Sequence, residues 1–390
     1  MKLAHYLLAL VFVISGLFIL GSILDIDMGL DKADNQESQK KQIQFHDEVT
    51  EYIKIDSLSF NAVTGRMNDV AGITGIKANN EENPPKLNSS EWELFTKVED
   101  TRRVAPGGFY RTKNGLGLLY VTRGRFGGET YAAVGGLMAT ANLKDWKWYE
   151  NNPVLDTYVG WNNATEWGRI MPYGLAFDSD KERFIAYYNA RGSYGRIWDG
   201  QRAVGIAYSE DMIHWTYDER SPLYTISDFQ RDASDLIVDT ENFQDLGRVY
   251  LHGAWKYDNK YYLLISGSIS TDSDGSSSYQ RIILSSNYPD KDFERFEFDR
   301  SGAIPYSVPV KYGETWYLPW RKDGMVGIYT SSSLAGPFKN FTPLFNKVPD
   351  GVEPGRSLQF RLFRWQDKWA IAYYVDVDDN RVMYIGRENK

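Results

Sequence analysis

From about Leu58 onward, short apolar and aromatic runs alternate with Gly, Asn and Asp, and no stretch sustains a helical period. Runs of that length and spacing predict strands joined by turns. Their order repeats imperfectly along the chain. One unit reads GLGLLYVTRG, AAVGGLMATA and LKDWKWYENNPVL; the next reads RFIAYYNAR, AVGIAYSE and DMIHWTYDERSPLY. A third reads KYYLLISGS, RIILSSNYP and DFERFEFDR, and a fourth TWYLPWRK, MVGIYTSSS and AGPFKNFTPLF. A fifth, KWAIAYYVD and RVMYIGREN, lacks its outer strand. Units of about four strands, ordered from inner to outer, predict an all-β five-bladed propeller over residues 57–390. The last blade then needs a strand from the N-terminal side, and Ser57 to Val63 or Gly72 to Lys77 would supply it, leaving no free sheet edge. A β-sandwich is the alternative for short strands at such spacing, but five units ending in similar phrases favour the propeller.

The segment before the repeats differs in kind. Residues 6–24 carry no charge and are long enough to span a hydrocarbon core. Lys2 precedes them, while Asp25, Asp27 and Asp31 follow, an asymmetry that places the N-terminus inside and the bulk of the chain outside. We expect residues 1–26 to form a transmembrane anchor; a cleaved signal segment is the alternative. Residues 27–56, rich in Gln, Lys, Glu and Asp, read as a stalk.

Composition narrows the chemistry. Aromatic residues make up 15% of the chain and suit half-buried strands. A net charge of −8 argues against a nucleic-acid partner. With no cysteine and only four histidines, thiolate chemistry and histidine-rich metal sites are excluded. No Gly-rich nucleotide loop and no Gly-x-Ser-x-Gly elbow occurs.

The phrases Val204 to Trp215 and Met138 to Trp146 resemble those of five-bladed glycosidases, a group that includes glycoside hydrolase families 32, 43 and 68. In that group a third strand ending in Ala-x-Ser-x-Asp is followed by a Trp, and then by a Pro-hydrophobic step. Here Asn152 to Leu155 and Ser221 to Tyr224 fill the last place, and Ser331 to Phe338 is similar to a common variant. The resemblance implies a propeller that acts on carbohydrate with central carboxylates. One would serve as acid and one as base or nucleophile, because an oxocarbenium-like transition state needs both. It is compatible with an axial calcium, but no dense carboxylate loop demands one, and we expect no cofactor.

The residues leading into the innermost strands depart from the pattern, since none has the Asp-Pro of family 43. Arg66 to Asp69 resembles the family 32 Trp-Met-Asn-Asp signature, which makes Asp69 a candidate nucleophile. Arg231-Asp232 is similar to that family's Arg-Asp-Pro, whose Asp steadies the transition state. Glu353 is a candidate acid and Glu166 its rival. Each also reads as an ordinary loop carboxylate, and Asp232 and Asp235 as turn-capping groups. Arg103, Arg169 and Arg356 precede three innermost strands, and His252 lies within a fourth. If they face the axis they suit an anionic glycan, because guanidinium forks bind carboxylate or sulfate; structural bridges between blades are the alternative. Trp161 and Trp198, in Gly- and Asn-containing loops, are candidates for stacking on sugar faces. The expected function is hydrolysis of an extracytoplasmic poly- or oligosaccharide, anionic by the arginine argument. The alternative is a propeller that binds or assembles glycan without cleaving it.

Overall fold

The computed structural model describes residues 84–98, 105–111, 117–124, 133–140, 142–149, 152–155, 170–178, 180–191, 202–210, 212–236, 247–270, 277–345, 360–365, 367–377 and 380–389. All fall within one compact unit, Thr50–Lys390. No helix among them is long and apolar enough to cross a membrane, and the apolar segment 6–24 lies outside the described residues.

After β1 (Trp92–Lys97), the repeated units pair as antiparallel sheets. The first sheet holds β2 (Ala105–Arg111), β3 (Gly117–Gly124), β4 (Ala133–Thr140) and β5 (Trp146–Trp148). The second holds β6 (Ile170–Asp178), β7 (Arg183–Arg191), β8 (Arg202–Ser209) and β9 (Thr216–Tyr217), and is followed by α1 (Ile226–Asp232). The third holds β10 (Gly247–Tyr257), β11 (Lys260–Ser270), β12 (Ser277–Ser286) and β13 (Glu294–Phe296). The fourth holds β14 (Val310–Tyr312), β15 (Thr315–Lys322), β16 (Met325–Ser331) and β17 (Lys339–Phe345). The fifth runs from β18 (Phe360–Trp365) through β19 (Lys368–Val377) and β20 (Asn380–Glu388) to β1. Among the described residues there are thus five four-stranded sheets in a propeller arrangement.

Local chemistry explains the repeated phrases. Leu143 and Met212 take positive φ (63° and 65°) just after β4 and β8. The indole of Trp146 donates to the Leu143 carbonyl at 2.7 Å, and that of Trp215 to Met212 at 3.1 Å. Each phrase's Trp is therefore a fastener for a left-handed turn. Fifteen residues after the strand residue it binds, Asn152 grips both the N–H and the carbonyl of Leu137 (2.8 and 2.9 Å), and at the same spacing the Ser221 hydroxyl accepts from Ile206 N at 3.2 Å. These side chains substitute for strand pairing where the chain turns away.

The ring closes between its two ends. Phe109 stacks on Phe363 (centroids 3.9 Å apart), joining first sheet to fifth, and Trp92, Phe345 and Tyr373 share a core with the fourth. The closing strand differs from the sequence expectation: it is Trp92–Lys97, antiparallel to β20, with Trp92 opposite Glu388. Ser57 to Val63 and Gly72 to Lys77 lie outside the described residues. Two features select the later strand, namely the burial of Trp92 and a carboxylate clasp. Buried Glu388 accepts from Lys86 N (2.7 Å) and from Trp369 N (2.9 Å), tying the segment before β1 to the last sheet. Glu388→Gln turns one acceptor oxygen into a donor amide facing an N–H. It is expected to cost about 1–3 kcal/mol, read as a lower urea midpoint at unchanged m-value.

Candidate functional site

The innermost strands of the first three sheets share one irregularity. The register with the next strand slips between Pro106 and Gly108, between Pro172 and Gly174, and between Leu251 and Gly253. Each slip is a bulge that frees one residue from the ladder, namely Gly107, Tyr173 or His252. The glycine that follows lies against the next sheet. A Cβ at Gly108 would lie 2.7 Å from Leu175 Cβ, one at Gly174 would strike Ala254, and one at Gly253 would strike Val308 Cγ2.

Arg361, on the fifth sheet's innermost strand β18, binds what the bulges release. Its Nε donates to Gly107 O (2.9 Å), and its Nη2 to Tyr173 O (2.6 Å) and His252 O (3.2 Å). Nη1 turns back to Phe360 O (2.9 Å). The side chain is buried, and burial lowers its pKa to about 10, which leaves it charged at neutral pH. Among the described residues, its hydrogen-bond partners are all backbone carbonyls.

Beside this hub, the facing surfaces of the third and fourth sheets carry a polar and aromatic cluster. His252 Nε2 lies 2.6 Å from the hydroxyl of buried Ser266. Ser266 stands opposite Arg281 in the β11–β12 register, so both point to one face. The Arg281 guanidinium sits 4.4 Å from the centre of the Tyr306 ring, and His252 lies 4.6 Å from the same ring. Trp320 meets Tyr306 edge-on at 6.0 Å. Arg281, Tyr306 and Trp320 are half-buried. The half-buried Trp320 indole can stack on a sugar face, and a guanidinium nearby can hydrogen-bond an acidic substituent.

His252 itself is held neutral. Burial lowers its pKa to about 3, helped by the positive charges of Arg281 and Arg361. At neutral pH it can accept from or donate to Ser266, but it is no proton reservoir. The unfolded chain protonates this histidine near pH 6.5, whereas the folded one does not until near pH 3. Between those values the unfolded state holds the extra proton, so stability falls as pH is lowered, by up to about 1.4 kcal/mol per pH unit from this group. Denaturant titrations at pH 7.0, 6.0 and 5.0 should show that slope, and His252→Gln should flatten it.

Of the ten sequence candidates, only His252 and Asp232 are among the described residues. Asp69, Glu166, Glu353, Arg103, Arg169, Arg356, Trp161 and Trp198 lie outside them. Asp232 ends α1, which Thr225 and Asp228 cap reciprocally. Its carboxylate accepts from Tyr224 Oη (3.0 Å) and from Arg231 Nε and Nη2 (2.7 and 3.1 Å). Arg295, on the third sheet's outermost strand, donates to the Asp232 carbonyl at 3.1 Å and pairs with Asp235. These bonds tie Asp232 to the outer side of a sheet. Sequence reasoning did not single out Arg361, Ser266, Arg281 or Tyr306. The signal present was the triplet shared by three innermost strands, Pro106-Gly107-Gly108, Pro172-Tyr173-Gly174 and Leu251-His252-Gly253. No group of three or more His, Asp or Glu side chains among the described residues is arranged to hold a metal ion.

No protein-family model matches the chain, and no curated protein does. Solved structures match at low identity. A glycoside hydrolase is 13% identical at a TM-score of 0.49, covering 79% of this chain and 92% of its own. A family 32 β-fructofuranosidase of Bombyx mori, in complex with sucrose, is 14% identical at 0.47, covering 88% and 67%. A family 117 glycoside hydrolase of Zobellia galactanivorans is 12% identical at 0.43, covering 82% and 89%. The propeller assignment rests on the strand pairing and ring closure of this chain itself.

Proposed function

We propose that this chain is a five-bladed propeller of the glycoside hydrolase kind, acting on an anionic poly- or oligosaccharide outside the cytoplasm. The observation that carries this reading is the half-buried Arg281–Tyr306–Trp320 group beside neutral His252 and Ser266. It offers a ring face and a fixed positive charge together, which suits a uronate or a sulfated sugar. Arg103, Arg169 and Arg356 would extend that recognition. Hydrolysis would fall to Asp69 as nucleophile or base and to Glu353 as acid, with Glu166 the rival acid. Asp232 is proposed to be structural, since its carboxylate is engaged by Tyr224 and Arg231. Residues 6–24 would hold the propeller at the membrane, and Trp161 and Trp198 would stack on further sugar units.

A second reading, binding or assembly of glycan without cleavage, has one observation in its favour. Among the described residues, the positions where the three innermost strands bulge toward Arg361 are Gly107, Tyr173 and His252, and none of these is a carboxylate.

Calorimetric titration of the full chain with uronate-containing and neutral oligosaccharides of equal length tests the recognition claim. Acidic sugars should bind more tightly, with an affinity that falls as salt rises. Arg281→Gln should weaken them about tenfold or more, as expected for loss of a charge-assisted bond. Equal affinity for neutral sugars, or no dependence on salt, contradicts the anionic reading.

A further inference from the structure

We infer that Arg361 is the resident cation of the propeller axis, holding the bulge carbonyls of three innermost strands where a bound divalent ion would otherwise be needed. Gly107, Tyr173 and His252 each leave the strand ladder at the same place in their sheets, so their carbonyls need partners elsewhere. Buried carbonyl oxygens that gather from separate strands repel one another and call for positive charge. A hard cation satisfies such oxygens by direct ligation. A guanidinium satisfies them with N–H groups spread over a rigid planar fork.

This chain uses the second solution. One edge of the fork reaches the first sheet through Nε, and Nη2 reaches the second and third sheets together. The surrounding carbonyl dipoles stabilise the charge, as they would stabilise an ion. A calcium ion does not fit beside it, because the oxygens it would bind already accept from Arg361. Its double charge would also lie within a few ångströms of a buried guanidinium. The axial calcium compatible with the sequence resemblance is therefore replaced here by a side chain. This inference is independent of whether the glycan is cleaved.

Substitution should convert the fold from calcium-indifferent to calcium-responsive. Three full-length proteins are compared by thermal denaturation after treatment with chelator, with and without calcium chloride. The native chain should show no rise in Tm attributable to the axis. Arg361→Lys keeps a cation but reaches fewer carbonyls, so it should melt lower and remain indifferent to calcium. Arg361→Ser leaves an oxygen-lined space without charge. It should melt lowest and recover about 4 °C when calcium stands at a hundredfold excess over Kd. A calcium response equal in the native and Arg361→Ser proteins overturns the inference. So does equal loss in the Lys and Ser variants, or an Arg361→Ser protein that stays unfolded or indifferent to calcium.

Discussion

Trp92→Ala should destabilise the protein by about 3–5 kcal/mol, the range for emptying a packed site of a large aromatic. Trp92 is 5% exposed, and its indole N–H donates to the Lys86 carbonyl at 2.7 Å. Its ring lies 6.2 Å from that of Phe345 on the outermost strand of the fourth sheet. The substitution therefore removes a core contact between two sheets and loosens the strand that closes the ring. The side chains around the vacancy belong to different sheets, so collapse onto it is restrained. Guanidinium denaturation with far-ultraviolet dichroism measures the loss. A change below about 1 kcal/mol would mean that β1 does not carry the closure.

Gly174→Ala is the second large effect, expected at about 3 kcal/mol, the upper range for overpacking. A Cβ there would meet the backbone of Ala254, with N at 2.5 Å and Cα at 2.8 Å, as well as Ala254 Cβ. Backbone cannot rotate away, so the second and third sheets must separate around the bulge that presents Tyr173 O to Arg361. Gly253→Ala offers the contrast, because its added methyl meets a side-chain atom, Val308 Cγ2. That clash should be milder, and Val308→Ala should relieve it. Urea midpoints of Gly174→Ala, Gly253→Ala and the Gly253→Ala/Val308→Ala pair give the comparison. Equal losses at both glycines would show that close approach of backbone is not the constraint.

The strands were legible in the sequence because apolar and aromatic runs repeat in a fixed order. The phrases ending at Trp146 and Trp215 were legible as well, and the structure supplies their cause in two left-handed turns fastened by indole N–H groups. The closing strand was misplaced because Trp-Glu-Leu-Phe-Thr-Lys is short and half polar, and the long-range clasp of Lys86 by Glu388 leaves no local trace. Arg361 was invisible for a related reason. Flanked by Phe360 and Leu362, it looks like the outward residue of an alternating strand. Only three bulges in other sheets, at positions 107, 173 and 252, make the axis the place for a charge. Ser266, Arg281 and Tyr306 likewise meet through cross-strand register and sheet packing, neither of which is written in spacing along the chain.

The measurement that bears most directly on the proposed function is release of new reducing ends from uronate-containing polysaccharides by the full-length chain in detergent. Asp69→Asn, Glu166→Gln, Glu353→Gln and Asp232→Asn would be assayed beside it. The account predicts release, lowered at least about a hundredfold by Asp69→Asn and by one of the two Glu substitutions, and left largely intact by Asp232→Asn. No release from any acidic or neutral polysaccharide would contradict hydrolysis, and binding without release would favour the second reading.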